Sequence, residues 1–264
     1  MEHLKPSICL CMIVKNEAPV IRRCLDSVRP LIDHWVIVDT GSTDGTQEII
    51  RTHMAGLPGT LHERPWVDFA HNRSESLALA RPHADYSLVI DADDFLEPVD
   101  RSSEAELTQD CYTLDIIDTP LRYQRKQLVH NRLAWRYRSV LHEFIDCEQA
   151  HSVGHLPWLM RRNHDGARRR DGNTYVKDAQ ILSRALESEQ DPFLRARYTF
   201  YLAQSFRDCQ QYKLAIVRYQ ERAKMGGWEE EVFYSLYQVA KLQEKLGLPD
   251  EVVLASFEKA TAAS

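Results

Sequence analysis

Three short apolar runs, each stopping abruptly at polar or acidic residues, set most of the limits on how this chain can fold. They are Ile8-Cys9-Leu10-Cys11-Met12-Ile13-Val14, Trp35-Val36-Ile37-Val38 and Ser87-Leu88-Val89-Ile90. Their apolar residues are nearly continuous rather than alternating, the pattern of strands covered on both faces of a parallel sheet. Lys15-Asn16-Glu17 ends the first run, Asp39 the second and Asp91-Ala92-Asp93-Asp94 the third. Between the first two, Ile21, Cys24, Leu25 and Val28 recur at helical spacing, and Pro30 closes that helix. Thr40 to Thr46 are turn and cap residues leading into a helix with Ile49, Ile50 and Met54, and Gly56 fits its stop. A short strand near Thr60-Leu61-His62 and a helix carrying Leu77 and Ala80 complete a βαβαβαβ alternation. That order predicts an α/β fold, a mostly parallel sheet with helices on both faces.

After Asp94 the pattern changes. Cys111 to Ile117 and Gln127 to His130 read as strands with no helix between them. Trp135 to Ile145 is a further strand-rich stretch, a candidate hairpin with one of these. Arg161 to Arg170 reads as a basic, loop-like bridge, and from about Asn173 the chain reads as helical. In that region Leu202, Ala203, Phe206, Tyr212, Ala215, Tyr219 and Ala223 follow the spacing of a tetratricopeptide helix pair, with Thr199 where a Trp-like residue is usual. A looser copy runs from Leu236-Tyr237 through Ala240 and Gly247 to Phe257 and Ala260. The expected division is an α/β domain over 1–170 and an all-α domain over 171–264. About three repeats are normally needed for independent stability, so the helical region is expected to dock on the α/β part.

The chain has 264 residues and a net charge of −6, with no basic excess to suggest nucleic acid as a partner. Six cysteines occur without a Cys-x-x-Cys pair, which predicts neither a zinc site nor a disulfide framework. Glu2, His3 and Lys5 precede only a short apolar run, and no stretch reaches membrane-spanning length. The expected setting is the reducing cytoplasm, free or peripheral to the inner face of the membrane.

The acidic stretch after the third run carries the chemistry. A core excludes unpaired carboxylates, so Asp91, Asp93 and Asp94 belong just past the strand's carboxyl end. Ligands of open α/β sheets bind at that edge. Asp91 and Asp93 are two apart and can face one side of an extended backbone. Two hard oxygen ligands there suit Mg²⁺ or Mn²⁺, and Mg²⁺ usually shares its shell with substrate phosphates. Taken alone, Asp-x-Asp more often describes an acidic turn with a helix cap. Asn16 and Glu17 after the first strand, Asp39 after the second and His71-Asn72-Arg73 opening a helix should reach the same edge. Together these groups outline a site for a charged, polyhydroxylated ligand.

Three of these stretches carry a resemblance. Ile13-Val14-Lys15-Asn16-Glu17, Val38-Asp39-Thr40-Gly41-Ser42-Thr43-Asp44-Gly45-Thr46 and Asp91-Ala92-Asp93-Asp94 are similar to the signature series of family-2 glycosyltransferases. Trp66-Val67-Asp68-Phe69, Asn72-Arg73, His142-Glu143, Phe200 to Asp208 and Gly226-Gly227-Trp228 resemble bacterial members with tetratricopeptide tails. The resemblance implies the nucleotide-sugar-binding GT-A fold and an inverting, metal-dependent sugar transfer from a nucleotide-sugar donor, with UDP the commonest nucleotide. It implies Asp93 as a direct ligand of Mn²⁺ or Mg²⁺, and Asp91 on sugar hydroxyls or on the metal. Asp39 would take the base, Glu17 would lie near the nucleotide, and Arg73 would meet diphosphate or base. Val14, Asn16, Asn72 and Ala92 complete the donor site. His164 is a candidate further metal ligand or a solvated surface residue. Arg161, Arg168, Arg169 and Arg170 are candidate diphosphate contacts or a solvated basic loop. Glu143 is the candidate general base, with His142 orienting it, contacting phosphate or acting itself, and Asp165 next in line. Tyr201, Tyr234 and Tyr237 offer aromatic surface to an unidentified acceptor, be it glycan, lipid-linked sugar, peptide or small molecule. Two other readings stay open: a tetratricopeptide adaptor with an inactive α/β domain, and a nucleotidyltransferase. The second lacks the Gly-rich basic loop after strand one, where Ala18-Pro19-Val20 stands.

Overall fold

A computed structural model describes residues 5–99, 107–167 and 172–263. The chain divides into two compact units: Met1–Arg138 with Glu143–Asp171, and Ser139–His142 with Gly172–Ser264.

The first unit is built on an eight-stranded mixed sheet. Its strands are β1 (Ile8–Val14), β2 (His34–Asp39), β3 (Gly59–Glu63), β4 (Tyr86–Val89), β5 (Phe95–Leu96), β6 (Cys111–Asp118), β7 (Leu121–His130) and β10 (Val153–Arg161), in the order β3-β2-β1-β4-β7-β6-β10-β5. The first four in that order are parallel, as the apolar runs predict. β7 is antiparallel to β4 and β6, and β5 is antiparallel to β10. Side chains alternate along a strand. β1 therefore sends Ile8, Leu10, Met12 and Val14 into one core layer, with residues of α1 (Ile21–Val28) and α2 (Thr46–His53). Cys9 and Cys11 enter the opposite layer with Leu77 and Ala80 of α3 (Phe69–Ala80). The α1 periodicity is realised in full: Ile21, Cys24, Leu25 and Val28 are its buried residues.

The second half of this unit departs from the sequence reading. β7 is ten residues long, whereas apolarity marks only Gln127 to His130. Leu128 to His130 pair with β4, but Leu121 to Lys126 pair with β6 alone, so polar residues fill that outer half. β10 was not expected, because Gly154, His155 and Pro157 interrupt its pattern. A register shift against β6 between Leu156 and Leu159 absorbs the proline. The stretch around Trp135 is a hairpin of its own: β8 (Arg136–Arg138) pairs with β9 (Phe144–Asp146), separate from the main sheet.

The helical unit contains α4 (Thr174–Ser188), α5 (Pro192–Asp208), α6 (Tyr212–Lys224), α7 (Glu229–Lys245) and α8 (Asp250–Thr261), each packed on its sequence neighbour. The two expected repeats are the pairs α5–α6 and α7–α8. Their shared core includes Phe200, Ala203, Ala215, Tyr219, Val239 and Leu242. Thr199, in the usual Trp-like position, is buried and donates its hydroxyl to the Arg195 carbonyl at 2.8 Å. Arg222 is buried between α6 and α7, with Glu231 at 2.8 Å and the Gly226 carbonyl at 2.8 Å. Among the described residues no helix is long and apolar enough to cross a membrane.

Candidate functional site

The loop after β2 is assembled from the Asp39–Thr46 series. Gly41 (φ 103°) and Gly45 (φ 91°) take left-handed conformations that suit glycine, and Gly45 caps α2. The polar residues between them fasten the end of β1. Ser42 Oγ accepts the Asn16 amide at 2.9 Å, Asp44 Oδ2 accepts the Ala18 amide at 3.0 Å, and Thr46 Oγ1 accepts the Glu17 amide at 2.8 Å. Asn16 Oδ1 answers by accepting the Thr43 amide at 2.8 Å. The motif thus locks two strand ends together, and Asn16, assigned to the donor site by sequence, works here on the loop. Val14 does likewise, its carbonyl accepting the Thr40 amide at 2.9 Å.

Asp39 lies at the centre of this loop and is completely buried. Its Oδ1 accepts the Gly41 and Ser42 amides, both at 2.8 Å, and Gln47 Nε2 at 3.1 Å. Its Oδ2 is buried and has no hydrogen-bond partner among the described residues. Leaving a buried acceptor unanswered costs about 1–3 kcal/mol.

Asp91, Ala92, Asp93 and Asp94 form a turn after β4, closed by the Asp94 amide on the Asp91 carbonyl at 3.1 Å. Ala92 is buried. Arg73, on α3, reaches this turn: its Nη2 donates to Asp91 Oδ1 at 2.5 Å and its Nε to Glu143 Oε1 at 2.8 Å. Its guanidinium stands 5.6 Å from the Tyr137 ring centroid. Burial pushes the Asp91 carboxyl up, but Arg73, with Arg125 and Arg162 beyond, outweighs it and holds the group down at about 2. Asp94 is buried, 4.0 Å from Arg125 and 3.8 Å from Arg162, and burial with the neighbouring Asp91 charge pushes it up to about 8. Asp93 is half-buried, with the Gly166 amide on its Oδ2 at 3.3 Å. Glu17 receives the Ala167 amide on both oxygens at 3.1 Å.

Asp91, Arg73 and Glu143 are therefore brought together, while other expected site residues are engaged elsewhere. Asn72 is fully buried; its Oδ1 accepts the Val67 amide at 3.0 Å and its Nδ2 donates to the Pro65 carbonyl at 3.1 Å. His164 Nε2 lies 2.6 Å from Asp118 Oδ1. His142 (φ 52°) belongs to the helical unit, where its ring stacks on Tyr201 at 3.7 Å. Arg161 pairs with Glu97. Arg168, Arg169 and Arg170 lie outside the described residues. Of the three tyrosines, Tyr237 is exposed, whereas Tyr234 accepts from Arg207 at 3.0 Å. Sequence reasoning missed Gln47, Tyr137 and Arg23, which sit on polar helix faces or short strands outside any motif.

Among the described residues, no three His, Cys, Asp or Glu side chains converge to hold a metal by themselves. The acidic turn fits a hard cation only when other oxygens complete the shell. Within that turn Asp91 already carries Arg73, whereas Asp93 receives the Gly166 amide.

This architecture, with its acidic turn after the fourth parallel strand, is the GT-A class of α/β fold. It is shared with Staphylococcus aureus TarS residues 1–349 in complex with UDP-GlcNAc, at a TM-score of 0.52, 11% identity and 92% coverage of each chain. The family model for glycosyl transferase family 2 matches residues 9–166, more than half of the chain, and the chain belongs to that family. A glycosyltransferase of Rickettsia bellii described as uncharacterized is 30% identical over 131 residues, 50% of this chain and 41% of that protein. A TPR repeat-containing protein of Synechococcus elongatus is 40% identical over 89 residues, 34% of this chain and 21% of that protein. The chain thus spans less than half the length of these curated relatives.

Proposed function

We propose that this glycosyltransferase moves a sugar from a UDP-linked donor to an acceptor hydroxyl or other nucleophile, with inversion and with the help of Mn²⁺ or Mg²⁺. The observation that carries the nucleotide is the buried, unanswered Oδ2 of Asp39 at the carboxyl end of β2. The N3–H of uracil is a donor of the kind this oxygen lacks. UDP-GlcNAc is the ligand of the TarS complex with the same fold.

Asp93, with Asp91 beside it, would hold the cation between protein and diphosphate. When bound, such an ion supplies Lewis-acid stabilisation of the departing diphosphate. The chain's own residues do the rest. Arg73 fixes Asp91 and Glu143 on one guanidinium, so donor-side and acceptor-side carboxylates keep one geometry. Glu143 takes the proton from the acceptor nucleophile as the new bond to the anomeric carbon forms and the bond to the β-phosphate oxygen breaks, its electron pair leaving on UDP. Arg73, expected on diphosphate or base, also acts as the clamp between the two carboxylates. Asp118 engages His164 at Nε2, so Nδ1 is the ring nitrogen that would serve a cation.

Calorimetry of UDP with and without Mn²⁺ tests the donor site. Wild-type protein should bind UDP more tightly with Mn²⁺, and Asp93→Asn should lose that gain. UDP binding that ignores Mn²⁺ in the wild type would remove the metal from the reading.

A further inference from the structure

Asp93 is held from behind by groups that no motif marks. Arg23, on α1, is bidentate to Asp165: Nη1 to Oδ2 at 3.0 Å and Nη2 to Oδ1 at 2.9 Å. The same Nη2 donates to the Asp93 carbonyl at 2.7 Å, and Asn163 Nδ2 reaches that carbonyl at 3.3 Å. The guanidinium lies 5.6 Å from the Phe95 ring centroid. The segment after β10 is thereby drawn across the acidic turn. Gly166 donates its amide to Asp93 Oδ2, and Ala167 donates to Glu17. Gly166 comes so close that a Cβ there would sit 2.8 Å from Asp93 Oδ2 and 3.0 Å from its Cγ. The Asp93 carbonyl, its carboxylate and the segment beside it are thus all referred to one arginine.

We infer that Arg23 is a positioning residue that sets the direction of the Asp93 carboxylate, through the Asp93 carbonyl and through the Asp165 clasp. This rests on the reading of Asp93 as the cation ligand. A planar, charged fork suits the task, since one guanidinium grips a carboxylate with two bonds and still has an N–H for the carbonyl. An ammonium could hold Asp165 or the carbonyl, but as a point charge. Groups behind a metal ligand typically govern affinity by about 10–100-fold. Among the described residues Arg23 makes no hydrogen bond or ion pair to the loop that carries Asp39, so nucleotide binding without the cation should not depend on it.

The test uses the full chain with Arg23→Gln, Arg23→Lys, Gly166→Ala and, as reference, Asp93→Asn. Hydrogen exchange without ligand reads the clasp directly: amides 164–167 should exchange faster in Arg23→Gln. Calorimetry with UDP alone and with UDP plus Mn²⁺ reads the consequence. Arg23→Gln and Gly166→Ala should lower Mn²⁺-dependent UDP affinity by about 10-fold or more and leave metal-free UDP affinity unchanged, with Arg23→Lys between them and wild type. Wild-type Mn²⁺-dependent affinity in Arg23→Gln would overturn the inference. So would an equal loss with and without Mn²⁺, which is the mark of a merely structural arginine. If Asp93→Asn keeps the full Mn²⁺ gain, the reading of Asp93 falls, and the exchange result still shows whether the clasp exists.

Discussion

At the scale of single residues, burial and partners separate groups that chemistry alone would treat alike. Arg73 neutralises two carboxylates in a half-closed site. Removing one member of a buried ion pair costs about 3–5 kcal/mol, because the remaining charge is stranded. Arg73→Met should therefore lower unfolding stability in urea at pH 7 by about 3 kcal/mol or more. Asn72→Ala should cost about 1–3 kcal/mol in the same measurement, since the Val67 amide and Pro65 carbonyl lose their partner. The cysteines separate in the same way. Burial holds the thiol of Cys11 up at about 12 and that of Cys24 well above its ordinary value, whereas Cys147 and Cys209 are half-buried. Titration with a disulfide reagent at pH 8 should label Cys147 and Cys209 first and reach Cys9, Cys11, Cys24 and Cys111 only on unfolding.

At the scale of elements, the loop between β2 and α2 is held by a carboxylate whose state depends on pH. Burial pushes the Asp44 carboxyl up, but hydrogen bonds from the Thr46 hydroxyl and the Ala18 and Thr46 amides outweigh it, so the group sits below its ordinary value. Its contribution to stability is then fully present above the unfolded value of about 3.9 and is lost as pH falls through the lower folded one. Asp44→Asn should flatten the fall of the urea midpoint below about pH 4. The first four strands and three helices were legible because each depends on local pattern: continuous apolar runs, helical spacing and glycines at turns. β10 and the outer half of β7 were not, because pairing with β6 holds them where their own residues are polar or include proline. The acidic turn and Asp39 were legible as motifs. The clamp of Arg73 on Glu143 joins residues 70 positions apart, and no spacing rule reaches that far. In the helical unit, Tyr237 on α7 is the exposed member of the three candidate tyrosines. Tyr237→Ala should raise the KM for a transferred acceptor and spare donor hydrolysis; unchanged acceptor kinetics would leave α7 a scaffold.

At the scale of the whole molecule, five helices make fewer than three full pairs, and about three repeats are the usual minimum for a stable array. The helical unit is therefore expected not to outlast the α/β unit in denaturant. Trp35, Trp66, Trp135 and Trp158 all belong to the α/β unit, so tryptophan fluorescence chiefly follows that unit, while far-ultraviolet dichroism is weighted towards the helices. Helical signal that persists after the fluorescence transition would show an independent array. If the silent oxygen of Asp39 receives the base, as proposed, it has a consequence for the nucleotide pool as a whole. A buried acceptor acts as a filter on hydrogen-bond polarity, admitting a ring that offers N–H and refusing one that offers a lone pair. Uracil and cytosine differ in this way at N3. A site that must desolvate two facing acceptors to take the wrong base can discriminate by orders of magnitude without any steric gate. CDP should accordingly compete poorly with UDP, and Asp39→Ala should narrow the gap by weakening UDP rather than by admitting CDP.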